Sequence, residues 1–140
     1  MLSFTRREDN TCFPVEPSAM LFGSESATEA LVVQSEFFNI AETEKHRQQS
    51  GKRYLEFLRV PALSAGVYVL PAGGADAQSP HKEDEMYYVV RGRGRMRAGS
   101  EDQIVSQGSI IFVAAGVDHR FYEIAEELMV LVFFAPAESE

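Results

Sequence analysis

The sequence predicts an all-β fold, a sandwich or closed barrel with an N-terminal arm, and three observations carry the prediction. From about residue 53 onward the chain runs in apolar or alternating segments averaging seven residues, within the usual range of strand lengths. Gly, Pro and Asp clusters separate them, each a turn signal. Eight such segments in succession favour an architecture that leaves few exposed sheet edges.

The segments are RYLEFLRV (53–60), GVYVLPA (66–72), EMYYVVRG (85–92), GRMRAG (94–99), QIVSQ (103–107), SIIFVAA (109–115), HRFYEIA (119–125) and LMVLVFFA (128–135). Pro61, Gly73-Gly74, Gly92-Arg93-Gly94, Gly99 to Asp102, Gly108 and Gly116-Val117-Asp118 fall between them. Residues 1–52 read as an arm and edge strands packing on a barrel that spans 53–140. The arm holds a helical stretch at Ser26–Ala30, a strand-like LVVQSEFFNI (31–40) and the charged AETEKHRQQSGKR. Phe13, Leu21, Phe22, Phe37 and Phe38 make it too apolar for a free tail.

A chain of 140 residues, 45% apolar and carrying a net charge of −8, fits one domain. No apolar run reaches the roughly 18 residues needed to span a bilayer. The start, MLSFTRREDN, lacks the layout of an export signal, so the expected location is cytoplasmic and no membrane partner is expected. Cys12 stands alone, which excludes an internal disulfide and a thiol-based zinc cluster. An acidic chain repels phosphate backbones, and no nucleic-acid partner is expected. The exception to the acidity is Arg91, Arg93, Arg95 and Arg97. Strand alternation puts at least Arg95 and Arg97 on one face with Met96 on the other, a solvated outer face or, in a sharper reading, an anion contact at a barrel mouth.

Two stretches carry the chemistry. The first is Gly73-GADAQ-Ser79-Pro80-His81-KED-Glu85-MYYVVR-Gly92, and the second Gly108-SIIFV-Ala114-Ala115-Gly116-VD-His119-RFY-Glu123. They resemble the paired cupin motifs G(x)5HxH(x)3–4E(x)6G and G(x)5PxG(x)2H(x)3N, in order and in spacing. Three positions depart: Ser79 stands where the first histidine of HxH belongs, Ala114 replaces the proline and Glu123 the final asparagine. The resemblance implies a double-stranded β-helix (jelly-roll) barrel over about residues 53–135. It also implies a divalent ion, Fe, Mn, Ni or Zn, held by His81, Glu85 and His119 where the family uses four ligands. Two imidazoles and a carboxylate suit non-haem iron or catalytic zinc and leave positions open for water or substrate. The bland alternative is a polar plug with no ion.

Alternation places Tyr87 beside Glu85 on the inner face, and Phe121 and Glu123 beside His119. With Ser79, Gln78 and Phe112, and Met86 or Met96 according to register, they are expected to line a small pocket. Gln78 or Asp76 could lend an oxygen to the ion or its water. Glu83 and Asp84 are expected at the rim or in solvent, Tyr88 on the outer layer and His46 on the surface. The expected function is a metal-binding cupin acting on a small organic molecule, as a dioxygenase-, isomerase- or lyase-like enzyme. The alternative is a non-catalytic small-molecule binding or sensing module, and a homodimer is expected in either case. No catalytic residue is assigned.

Overall fold

In a computed structural model the described residues are 34–139, together with the backbone of β1 (Phe4–Arg6) and β2 (Cys12–Pro14), which pair antiparallel. The helical stretch expected at Ser26–Ala30, and the side chains of Cys12, Phe13, Leu21 and Phe22, lie outside the described residues. Residues 34–39 form no strand. The charged stretch that follows is helix α1 (Ile40–Ser50). Asn39 caps it by accepting from the amides of Ala41 at 2.9 Å and Glu42 at 3.3 Å, and Gly51 ends it in the left-handed region at φ 69. Helix α1 lies against β3 and β4. Buried Glu44 holds Arg47 through two bonds of 2.7 and 2.9 Å, and half-buried His46 lies on the same helix.

Six strands follow: β3 (Tyr54–Val60), β4 (Leu63–Leu70), β5 (Asp84–Ala98), β6 (Glu101–Ser106), β7 (Ile110–Val113) and β8 (His119–Ala135). They join in the order β3-β4-β8-β5-β6, with β7 also on β5, and all pairings are antiparallel. Eight expected segments become six strands because β5 and β8 each fuse two. The early part of β5 pairs with the end of β8 and with β7; its late part pairs with the start of β8 and with β6. Both long strands therefore run through both halves of the barrel.

Gly92, read as a turn, is instead the pivot of a bulge. Its φ is 92, and an added Cβ would stand 2.0 Å from the Glu127 carbonyl oxygen. The bulge inverts the alternation. Glu85, Tyr87 and Val89 face inward before it, Gly94 and Met96 after it, and the arginines at 91, 93, 95 and 97 stay outside. On β8, Glu123 at φ 45 makes the same inversion, from His119 and Phe121 to Ile124 and Leu128. The core between the two halves includes Tyr87, Met96, Phe121, Leu128, Val132 and Phe134. Fully burying side chains of this size contributes about 1.5–3 kcal/mol each.

The arginine run is occupied by neighbouring carboxylates. Arg91 meets Glu127 at 2.9 Å and Glu44 at 3.7 Å, while Arg95 and Arg97 share Asp102 at 3.0 and 3.1 Å. Tyr122 donates to the same carboxylate, and the guanidiniums of Arg95, Arg97 and Arg120 lie 5.3–5.9 Å from its ring centre.

Candidate metal centre

Three residues from two separate parts of the chain meet inside the barrel. His81 lies in the irregular segment before β5, Glu85 is the first inward residue of β5, and His119 opens β8. Oε2 of Glu85 stands 2.9 Å from Nε2 of His119 and 4.0 Å from Nε2 of His81. The Glu85 and His119 side chains are each 1% exposed, while His81 keeps 20%.

The His119 ring is held by its other nitrogen. Nδ1 donates to the Val117 carbonyl at 2.8 Å, which leaves the Nε2 lone pair facing Glu85. Nε2 and both Glu85 oxygens are buried without an aligned hydrogen-bond partner, despite the 2.9 Å approach. With His119 neutral, no protein donor among the described residues satisfies these three lone-pair-bearing atoms, and a proton on Nε2 would reach only one Glu85 oxygen. A divalent cation would satisfy all three. Burial opposes a charge on His119, yet the Glu85 carboxylate and the Val117 carbonyl outweigh it and hold the imidazole pKa above its ordinary value.

The segment before His81 supplies a polar second layer. Asp76 accepts from the Phe121 amide at 2.9 Å, the Tyr68 hydroxyl at 3.1 Å and the Gln78 amide at 2.9 Å, which pins the segment to β8. Gln78 then presents Oε1 to the Tyr87 hydroxyl at 3.0 Å and to Nε2 of His81 at 3.3 Å. Pro80 lies in irregular backbone, so strand alternation does not apply: Gln78 turns inward and Ser79 is exposed. Burial first, then the nearby Glu85 charge, pushes the Tyr87 hydroxyl well above its ordinary pKa, so it stays a donor.

Of the expected pocket residues, Tyr87 and Phe121 are fully buried and stack edge-on at 5.1 Å. Three others are corrected. Ser79 points to solvent. Glu123 is exposed because its own backbone makes the β8 inversion. Phe112, 61% exposed, faces outward because Ile111 and Val113 take the inward positions of β7. It pairs with exposed Met86, while Met96 is the inward methionine. Phe112 borders a groove of about 500 Å³ along β6 and β7 that shares no residue with the triad. Glu83, expected at the rim or in solvent, is buried, whereas Asp84 is exposed as expected and accepts from the Ala115 amide at 2.9 Å.

A cavity of about 190 Å³ adjoins the triad, lined by Tyr54, Tyr68, Gln78, Val132, Phe134 and Glu138. That is room for about six waters at about 30 Å³ each. The hydroxyl of Tyr54 is buried there without a partner, and burial raises the pKa of both tyrosines. Glu138 is pushed upward by burial, against the pull of His81, whose Nδ1 is 3.4 Å away. Sequence reasoning missed Tyr54, Tyr68 and Glu138. Neither tyrosine falls in a motif, and Glu138 belongs to an acidic end without pattern.

A family model for the cupin domain matches residues 66–134. An uncharacterized protein of Streptomyces coelicolor is 46% identical over 102 residues, which is 73% of this chain and 97% of that protein. The crystal structure of BH2720 from Bacillus halodurans superposes with a TM-score of 0.63 at 19% identity, over 76% of this chain and 86% of its own. A cupin 2 conserved barrel domain protein from Rhodopseudomonas palustris superposes with a TM-score of 0.56 at 20% identity, over 62% of each chain. At such identities the structural likeness speaks for the fold alone.

Proposed function

The chain belongs to the cupin superfamily, and from that premise we propose that it holds a divalent metal ion on His81, Glu85 and His119 and receives a small organic molecule in the adjoining cavity. The observation that carries the reading is the convergence of buried, unsatisfied atoms on Glu85 and His119. Leaving such groups unpaired costs about 1–3 kcal/mol each, so the arrangement makes sense as a ligand set. Gln78, with Oε1 already 3.3 Å from His81, is the candidate fourth donor in place of the family histidine absent at Ser79. The set accepts Fe, Mn, Ni or Zn.

A bound ion would supply Lewis acidity toward a substrate oxygen, and redox chemistry if it is iron or manganese. The chain's own residues do the rest. Val132 and Phe134 exclude water from one side of the cavity. Tyr54 offers a hydroxyl free to donate or accept, and Asp76 keeps Gln78 and Tyr68 in place. This suits a metal-dependent dioxygenase, isomerase or lyase on a small molecule. The second reading, a non-catalytic binding module, is favoured by exposed Ser79, which leaves the site one family ligand short. In both readings the protein works in the cytoplasm, without nucleic acid, as a homodimer. Exposed Met86, Tyr88, Ile110 and Phe112 offer the outer face for pairing.

The test is elemental analysis of purified protein after saturation with each metal and dialysis, beside His119→Ala. About one ion per chain is expected in the parent, with loss in a variant that keeps its β-sheet circular dichroism. A parent that retains no metal, or a variant that retains it fully, overturns the proposal.

A further inference from the structure

After the cis Ala135-Pro136 bond, residues 137–139 return across the barrel opening on four hydrogen bonds. The Ala137 amide donates to the Pro61 carbonyl at 3.3 Å, and Arg59 donates to the Glu138 carbonyl at 2.8 Å. The Glu138 amide donates to Ser64 Oγ at 2.9 Å, and the Ser139 amide to Glu83 Oε1 at 2.9 Å. Ser64 is 0% and Glu83 7% exposed, so two buried polar side chains are directed at the tail's backbone. The segment is tied at three successive residues.

The ties deliver one carboxylate to one ring. Acceptors face both ring nitrogens of His81: the Glu138 carboxylate lies 3.4 Å from Nδ1, while the neutral Gln78 Oε1, which already accepts from Tyr87, lies 3.3 Å and the Glu85 carboxylate 4.0 Å from Nε2, so the two sides compete for one ring proton and the closer charge is on the Nδ1 side. We propose that Glu138 is the positioning residue of His81: placed by the pinned tail, it draws the imidazole proton to Nδ1 and turns the Nε2 lone pair toward Glu85. A histidine ligand commonly has such an outer carboxylate or carbonyl partner, and its removal weakens metal binding about 10–100-fold. Val117 serves His119 through a carbonyl, and Glu138 serves His81 through a carboxylate. The metal arm of this inference rests on the reading of His81 as a ligand; the proton arm does not.

The experiment uses the full chain with Glu138→Ala and Glu138→Gln. The His81 tautomer is read in metal-free protein by long-range ¹H–¹⁵N correlation, and Co²⁺ affinity by calorimetry. The parent is expected to carry its proton on Nδ1 and Glu138→Ala to lose that preference. Co²⁺ binding should weaken about 10–100-fold in Glu138→Ala and less in Glu138→Gln, which keeps an acceptor oxygen. If Glu138→Ala fails to fold, Glu138→Gln gives the answer, with a smaller loss still expected. An unchanged tautomer together with Co²⁺ affinity within about twofold of the parent overturns the inference. A parent that takes up no Co²⁺ but shows the tautomer change sinks the metal reading and leaves Glu138 as the partner of His81.

Discussion

Replacing Glu85 by glutamine should separate stability from ligand binding, because the substitution changes one oxygen to an NH2 group at almost constant volume. In the metal-free molecule both Glu85 oxygens and Nε2 of His119 lack an aligned partner, each orphan costing about 1–3 kcal/mol. An amide donor 2.9 Å from Nε2 satisfies that nitrogen and removes a buried charge. The expected gain is about 1–2 kcal/mol, or roughly 4–8 °C at about 4 °C per kcal/mol for a domain of this size. The gain depends on pH. The folded pKa of His119 is raised, so the stability it draws from pairing with Glu85 is fully present below the unfolded value of about 6.5. That stability is lost as pH rises through the folded value. Glutamine should therefore stabilise at about pH 9 and gain little, or cost stability, at about pH 5. Thermal unfolding with chelator at both pH values, then with Co²⁺ at the higher one, reads all of this. Metal at 100 times its dissociation constant adds about 2.7 kcal/mol to the parent and close to nothing to the variant, which has lost the charged ligand. A Glu85→Gln protein less stable than the parent at pH 9 without metal, or raised equally by Co²⁺, would refute the reasoning.

Three further outcomes are expected. In Gly66→Ala the new Cβ would lie 2.3 Å from a Tyr54 ring carbon, so a loss of about 1–3 kcal/mol should appear in the urea midpoint and shrink in the Gly66→Ala/Tyr54→Ala double variant. Ser79→His restores the family residue type at an exposed position, so Co²⁺ affinity should stay within about twofold; a tenfold gain would show that the segment turns inward. Asp102 is held down to about 2, first by the Tyr122 hydroxyl and then by Arg97 and Arg95. Its stabilisation is therefore present above the unfolded value of about 3.9 and lost as pH falls toward about 2; in Asp102→Asn, stability should decline less steeply across that window.

The two ends of the triad were legible because strand alternation is short-range: once Glu85 faces inward, so does Tyr87, and once His119 does, so does Phe121. The alternation fails at Gly92 and Glu123, where positive φ values invert it, and a left-handed glutamate has no signature in sequence. Reading Glu123 into the pocket failed for that reason. Helix α1 was illegible by periodicity because its buried residues are Thr43 and Glu44 rather than an apolar stripe. Glu138 could not be found at all, since its approach to His81 depends on Pro61, Ser64 and Glu83, far away in the chain.

The β5–β8 ribbon has a last consequence. Glu85 stands opposite Phe134 near one end of the ladder, and His119 opposite Ala98 at the other, yet their side chains touch because the ribbon curls over on itself. Whatever joins them fastens the first rung to the last, as a clasp closes a bracelet. Fraying from either end then has to open the clasp, so a filled site should slow amide exchange along the whole ribbon together, including rungs distant from the ion.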